Sequence, residues 1–118
     1  MQPEALTEIL IKSLEDMKAI NIQTLDVRGK TSITDIMIFA SGTSARHVKS
    51  LAETVAFQAK QVGVVPIGQE GLSEGDWALV DLNGVVVHVM QEKVRDFYQL
   101  ERLWSVEKDE TESSSENS

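Results

Sequence analysis

Residues 41–47, with the sequence SGTSARH, combine residue types that build phosphate-binding sites. The apolar run 35–40 leads into the small residues 41–44, and Arg46 and His47 follow at the start of a predicted helix. A glycine-containing loop between a strand and a helix N-terminus can present backbone N–H groups to an anion. This segment is therefore either a catalytic phosphate site or a strand-to-helix turn without catalysis.

The acidic residues do not supply the metal-binding set that nucleotidyl transfer requires. That chemistry uses two metal ions held by clustered carboxylates on neighbouring strand positions. Asp26, Asp35 and Asp81 fall singly on three predicted strands, with no Asp-x-Asp pair on any of them. The loop at 41–44 does not end in Gly-Lys-Ser/Thr, as a P-loop would, and two distant histidines do not suggest zinc. We therefore expect no catalytic residue, no metal and no cofactor.

The two histidines have structural interpretations. A lone histidine on a strand is more often structural or interfacial than catalytic, and spacing places no serine beside His88, while the chain has no cysteine. His47 is interpreted as a partly buried structural residue that flanks Leu51. Arg46 points away from the apolar side of its helix, so it is either solvated or part of a contact.

The periodicity of apolar residues predicts the elements that position these side chains. Asn83-Gly84 favours a tight two-residue hairpin turn, and Gly63 is a plausible helix C-terminal cap. The predicted elements are a helix at 3–20, strands at 22–27 and 35–40, a helix capped by Ser44 or Thr43 that runs to 62, a short strand at 64–67, a loop at 68–76, strands at 77–82 and 85–90, and a helix at 92–104. Pro66 breaks the strand at 64–67, so it is expected at an edge or irregular. The order α-β-β-α-β-β-β-α indicates an α/β (α+β) fold with a single mixed β-sheet flanked by helices.

The predicted hairpin has an unusual second side. Its first side pairs Leu82, Val80 and Ala78 with valines and should be core, because opposed residues point the same way. The second side, which we call the hairpin face, consists of Trp77, Leu79, Asp81, Val86, His88 and Met90. Two interpretations stay open. A helix covers this side too, or it is an exposed apolar patch with polar points that binds a protein.

Composition limits the class of protein and its partners. The formal net charge is −8, of which residues 105–118 carry −4. An acidic domain does not neutralise phosphates well, so little direct nucleic-acid contact is expected and a basic protein is an easier partner. No apolar run approaches a membrane span, Glu4 and Glu8 stand where a signal peptide would be basic, and the chain lacks cysteine. These features predict a cytoplasmic protein with one domain at 1–105 and a disordered acidic tail at 106–118.

Many ordered motifs between about residues 3 and 105 resemble those of the ribosomal silencing factor (RsfS, or Iojap) family. They are Leu25-Asp26-Val27 with Gly29, Ser32-Ile33-Thr34-Asp35, residues 41–48, Glu70-Gly71, Asp76-Trp77, Val80-Asp81, residues 84–89, Arg95, Phe97-Tyr98, Leu100-Glu101 and Leu103-Trp104.

The resemblance implies a nucleotidyltransferase-like fold without a catalytic site. It implies binding to the large ribosomal subunit through ribosomal protein L-fourteen, a steric block of joining with the small subunit, and repression of translation when nutrients are short. Family members often form homodimers when free. The partner-binding role carries over to the matching positions Trp77, Leu79, His88, Met90, Tyr98, Asp76, Asp81 and Arg95.

Two other functions stay open at this point. A divergent nucleotidyltransferase would show Mg²⁺-dependent turnover that is abolished at Asp35 or Asp81. A plain dimerisation module would use the hairpin face for self-association.

The acidic tail is expected to be dispensable. Deleting residues 106–118 should leave folding and ribosome binding intact, because the tail lies outside the family motifs. Thermal unfolding and co-sedimentation of the truncated protein with ribosomal subunits check this, and loss of either property would contradict it.

Overall fold

The structure, a computed structural model, describes residues 2–30, 32, 34–71 and 75–94. The elements in order are α1 (Pro3–Asp16), β1 (Ile20–Asp26), β2 (Ile36–Gly42), α2 (Ala45–Gln61), β3 (Gly68–Glu70), β4 (Trp77–Asp81) and β5 (Val85–Gln91). Residues 92–94 are helical and coincide with the start of the last predicted helix. The rest of that helix, the acidic tail and the predicted domain boundary lie outside the described residues.

The five strands form one mixed sheet, in the order β1-β2-β5-β4-β3. β2 and β5 are parallel, and the other three pairs are antiparallel. The mixed sheet with helices that the element order predicts is therefore confirmed. All seven residues of β2 are buried, as its nearly continuous apolar sequence predicts.

Both described helices pack on one side of this sheet. Leu6, Leu10 and Leu14 of α1 and the apolar stripe of α2 meet the alternate side chains of three strands. The strand residues in this core are Ile36, Ile38, Ala40, Ala78, Val80, Val85, Val87 and Val89. Apolar burial of this kind stabilises a fold by roughly 25 cal/mol per Å², so this layer holds α1 and α2 on the sheet.

Helix α1 ends four residues earlier than the apolar pattern predicts. Lys18 takes a left-handed φ of 68°, and the Ala19 and Lys18 N–H groups donate to the carbonyls of Leu14 and Glu15. These two bonds form a Schellman motif, which stops a helix. Because the chain leaves the helix there, β1 starts at Ile20 and not at 22. Helix α2 ends in the same way with Gly63 in the left-handed position, so the predicted cap is confirmed.

The strand predicted at 64–67 is wrong, and β3 lies within the segment predicted as a loop. The Val64 N–H is used in the cap of α2, where it donates to the Ala59 carbonyl. Pro66 has no N–H to offer to a neighbouring strand. Pairing with β4 therefore starts only at Ile67, whose N–H donates to the Asp81 carbonyl, and continues through β3.

Candidate functional site

The hairpin face forms as the register predicts. Asn83 and Gly84 both have positive φ angles, 59° and 111°, which a tight primed turn requires. The strands pair Trp77 with Met90, Leu79 with His88 and Asp81 with Val86. These side chains therefore lie together on the side of the sheet opposite α1 and α2.

Two strands outside the hairpin extend this face. Phe39 of β2 pairs with His88, and Glu70 of β3 pairs with Leu79, so each pair shares the face. A second apolar cluster forms here from Val27, Met37, Phe39 and Met90, with Leu25, Trp77 and Val94 packed against it. Sequence reasoning missed Phe39 and Met37 because a strand that is apolar throughout does not show which residue faces which side.

Burial divides the predicted partner-binding residues into two groups. Met90 is fully buried, His88 is 8% exposed and Val86 is 4% exposed. Of the two open interpretations, the exposed patch is therefore wrong for Met90, His88 and Val86, which are buried. Trp77, Leu79 and Asp81 are half-buried and Asp76 is exposed, so these four can be reached by a partner. Arg95 and Tyr98 lie outside the described residues, as does most of the last predicted helix.

His88 forms the base on which Trp77 rests. Its ring stacks on Phe39, with ring centroids 5.0 Å apart and planes 9° apart. The Trp77 Nε1–H donates to His88 Nδ1 at 3.3 Å, so the imidazole proton resides on Nε2. His88 Nε2 has no hydrogen-bond partner among the described residues. Burial lowers the pKa of His88 from 6.5 to about 4, so the ring is neutral at pH 7.

The lowered pKa of His88 predicts a loss of stability in mild acid. Between pH 6.5 and about 4, the His88 ring binds a proton in the unfolded chain but stays neutral in the folded chain, because its folded pKa is about 4. The free energy of unfolding should fall by about 3 kcal/mol across this window, at 1.36 kcal/mol per pKa unit. Urea denaturation from pH 7 to 4 measures it. His88→Gln is the matched control, because it removes this proton uptake, and equal pH dependence in both proteins would contradict the prediction.

A surface pocket of about 360 Å³ opens beside Trp77. Its lining residues are Glu70, Gly71, Trp77 and Leu79, and we call it the Trp77 pocket. Gly71 has a left-handed φ of 77°, and a Cβ there would lie 1.9 Å from the Trp77 carbonyl oxygen. Only glycine fits this position, so the close approach of Gly71 fixes the backbone that carries the tryptophan.

The charged side chains that the described strands place on this side of the sheet are acidic, and the others are apolar or neutral polar. The side-chain alternation and register place Glu70 and Asp81 there, and no lysine or arginine of the five described strands. Asp76 adds an exposed carboxylate next to Trp77, and its Oδ1 accepts a bond from the Gln91 side chain at 3.2 Å. A surface of this composition is complementary to a basic partner with apolar portions.

The loop at 41–44 is a strand-to-helix turn in which His47 has a structural role. Ser44 caps α2 by accepting the His47 N–H at 3.1 Å. The His47 Nδ1 accepts the Thr43 N–H at 2.9 Å, and its Nε2 donates to the Met17 carbonyl at 2.8 Å. The half-buried ring thus ties the end of α1 to the start of α2. Arg46 is exposed.

Removal of the His47 ring should destabilise the fold. His47→Ala leaves the Thr43 N–H and the Met17 carbonyl without this partner, and we expect a loss of about 1–2 kcal/mol in the free energy of unfolding. Arg46→Ala, one residue away on the same helical turn, is the control and should change stability by less than about 0.5 kcal/mol. Urea denaturation measures both, and equal values for the two variants would exclude the structural role.

The three aspartates of the predicted strands have local roles. Arg28 pairs with Asp26 at 3.7 Å and with Asp35 at 4.0 Å, and it also bonds Glu4 of α1. Asp81 Oδ1 accepts the Asn83 N–H at 3.1 Å in the hairpin turn. Within residues 2–30, 32, 34–71 and 75–94, no three His, Asp or Glu side chains come close enough to form a candidate metal site. The parts of the chain that the structure describes contain no helix with the length and apolar character to cross a bilayer.

Fold and site together define a small α/β protein whose sheet carries the helices on one side and the hairpin face, with its half-buried Trp77 and Leu79, on the other. The sequence matches the family model described as "Ribosomal silencing factor during starvation" over residues 1–118. A Haemophilus influenzae protein named "Ribosomal silencing factor RsfS" is 45% identical over 101 residues, which are 86% of this chain and 99% of that protein. The chain therefore belongs to the ribosomal silencing factor family, which is named for a regulatory role.

Two solved structures are similar to the structure of this chain. A crystal structure of a Chromobacterium violaceum protein superposes with a TM-score of 0.87 at 44% identity and covers 89% of this chain and 88% of that one. A Bacillus halodurans crystal structure gives a TM-score of 0.78 at 30% identity, with 86% and 94% covered. The expected family membership and fold class are thereby confirmed.

Proposed function

We propose that this protein binds the large ribosomal subunit and blocks its joining with the small subunit. The contact is ribosomal protein L-fourteen, on the face of the large subunit that meets the small one. A factor bound there occupies the space that the small subunit needs. Translation in the cytoplasm then falls when nutrients are short, and no chemical step is required of the protein.

The composition of the hairpin face is the observation that supports this proposal. Trp77 and Leu79 are half-buried, so they retain apolar area that a partner can cover. His88, stacked on Phe39, accepts the indole N–H. Asp76 directly precedes Trp77, and Asp81 lies on the same side of β4 beyond Leu79. A rigid aromatic anchor with charged neighbours is typical of the residues that dominate binding energy at interfaces. The net charge of −8 favours encounter with a basic ribosomal protein over bare RNA.

Co-sedimentation with separated ribosomal subunits tests binding. Purified protein is mixed with the large or the small subunit, and the bound fraction is measured after centrifugation. We expect the protein to pellet with the large subunit only. Binding to neither subunit would contradict the proposal.

Subunit mixing tests the block. The two subunits are combined at a Mg²⁺ concentration that favours the joined particle, with and without the protein. We expect less joined particle in its presence. If the protein binds the large subunit but the amount of joined particle does not fall, the proposed steric block is wrong and only the proposed binding stands.

A further inference from the structure

The volume and the lining residues of the Trp77 pocket limit which side chain of a partner can bind in it. Its volume of about 360 Å³ is near the lower limit of the roughly 300–1,000 Å³ found for small-ligand sites. It therefore suits one long side chain better than a helix or a strand. That side chain would come from the partner named in the proposed function, so the inference rests on that function.

Two walls of the pocket are apolar and one is acidic. Trp77 and Leu79 stand two residues apart on β4, so both point to the same side of the sheet. Glu70 pairs with Leu79 across β3 and β4, which brings its carboxylate beside the leucine. Glu70 is exposed, and among the described residues its carboxylate has neither a hydrogen-bond partner nor an ion-pair partner, while its backbone pairs with β4.

We infer that the Trp77 pocket binds one arginine side chain of the basic partner. The aliphatic part of that side chain lies against Leu79, the guanidinium stacks on the Trp77 ring, and its N–H groups donate to the Glu70 carboxylate. Arginine can contact all three walls. Its aliphatic part is apolar, and its guanidinium both stacks on aromatic rings and pairs with a carboxylate through two hydrogen bonds.

Other occupants fit the three walls less well. A purely apolar side chain would cover Glu70 and leave its charge without a partner, which is costly. An acidic side chain would be repelled by Glu70. A lysine would pair with Glu70, but its compact, strongly hydrated ammonium gains less from the flat indole.

The pocket is held in shape by contacts to the backbone and the ring of Trp77. Gly71 contacts the Trp77 backbone, and His88 Nδ1 accepts the Trp77 indole N–H. β3 is an edge strand, so Glu70 remains accessible from the open end of the sheet. A preformed pocket limits the entropy that is lost on binding, so a single arginine can contribute substantially.

Binding of Glu70 variants to purified large subunits tests this inference. We expect Glu70→Gln to weaken binding about tenfold and to reduce its dependence on salt concentration, because one charge pair is lost. Glu70→Lys should weaken it further by repulsion. Glu53→Gln is the matched control, since Glu53 is exposed on α2, on the opposite side of the sheet, and it should bind like the unmodified protein.

The outcomes separate this inference from the proposed function. Failure of the unmodified protein to bind the large subunit would contradict the proposed function. If the unmodified protein and Glu70→Gln bind the large subunit equally well, the arginine inference is wrong, while the proposed function still stands. Thermal unfolding of each variant shows that the fold is intact.

A probe that needs no ribosome tests the same pocket directly. N-acetyl-arginine amide is titrated into the isotope-labelled protein, and the Trp77 indole N–H signal, identified by its loss in Trp77→Phe, is followed by NMR. We expect this signal to shift, and to shift much less in Glu70→Gln. An equal shift with N-acetyl-lysine amide, or no shift with the arginine probe, would overturn the assignment.

Discussion

Trp77→Ala is expected to weaken binding to the large ribosomal subunit by about 2 kcal/mol or more, which is roughly thirtyfold in Kd. The indole is the largest accessible apolar group of the hairpin face, and its ring forms one wall of the Trp77 pocket. Truncation removes both the contact area and the surface on which a guanidinium would stack. Titration of the large subunit with labelled protein measures the change in affinity.

The control for this prediction is Phe57→Ala. Phe57 is an aromatic residue of α2 that is 57% exposed, and α2 packs on the other side of the sheet. Its truncation should leave affinity unchanged. Trp77→Ala also deprives His88 Nδ1 of its donor, so unfolding must be measured beside binding. An unchanged affinity in folded Trp77→Ala would show that the hairpin face is not the contact surface.

Gly71→Ala is expected to destabilise the fold strongly, although it adds only one methyl group. The added Cβ would lie 1.9 Å from the Trp77 carbonyl oxygen, far inside any real contact distance, and the left-handed φ adds strain. The backbone of Trp77 or of Gly71 must shift to relieve this overlap. We expect a loss of about 3 kcal/mol in the free energy of unfolding, since overpacking and backbone strain add, together with weaker ribosome binding.

Gly63→Ala provides the matched control for that substitution. Gly63 has a similar φ of 85°, but a Cβ there would meet nothing within 4 Å. Its cost should be limited to the left-handed backbone, about 1 kcal/mol, and binding should not change. Urea denaturation of both variants isolates the overlap with Trp77. Equal losses for the two glycines would contradict the proposed close contact.

The hairpin was the part of the fold that the sequence predicted best. Asn83-Gly84 determines the turn type, the turn type determines the register, and the register determines which side chains share a face. The pairs Trp77–Met90 and Leu79–His88 follow from this local rule alone. Helix α2 was predicted well for a similar reason, since Ser44 and Gly63 are residue types with strong preferences at helix ends.

The errors in the bounds of elements arose at the ends of the two helices. Lys18 holds the left-handed position at the end of α1, where glycine is the common signal, so the helix was predicted to continue. Val64 was predicted to begin a short strand broken by Pro66, but its N–H is used in the cap of α2. Both cases depend on hydrogen bonds, which residue patterns do not reveal.

The burial of the hairpin-face residues could not be predicted from the alternation of side chains along the strands. Alternation shows that Met90 and His88 point to the same side as Trp77, but burial depends on residues from another strand. Phe39 covers His88 because β2 lies parallel to β5, and nothing in the local sequence states that pairing. Glu70 was missed as a candidate binding residue for a different reason, since its strand lies in a segment predicted as a loop.

The parallel pairing of β2 with β5 also bears on the order in which the protein folds. The hairpin of β4 and β5 joins close neighbours in sequence, whereas the central pair joins residue 36 to residue 85. Closing so long a segment costs more entropy than closing a tight turn, which favours late formation of such contacts. The stacking of Phe39 on His88 depends on this late step. In a nascent chain the hairpin would therefore carry Trp77 on a His88 ring that Phe39 does not yet cover, and this ring would be covered only when the central strands pair.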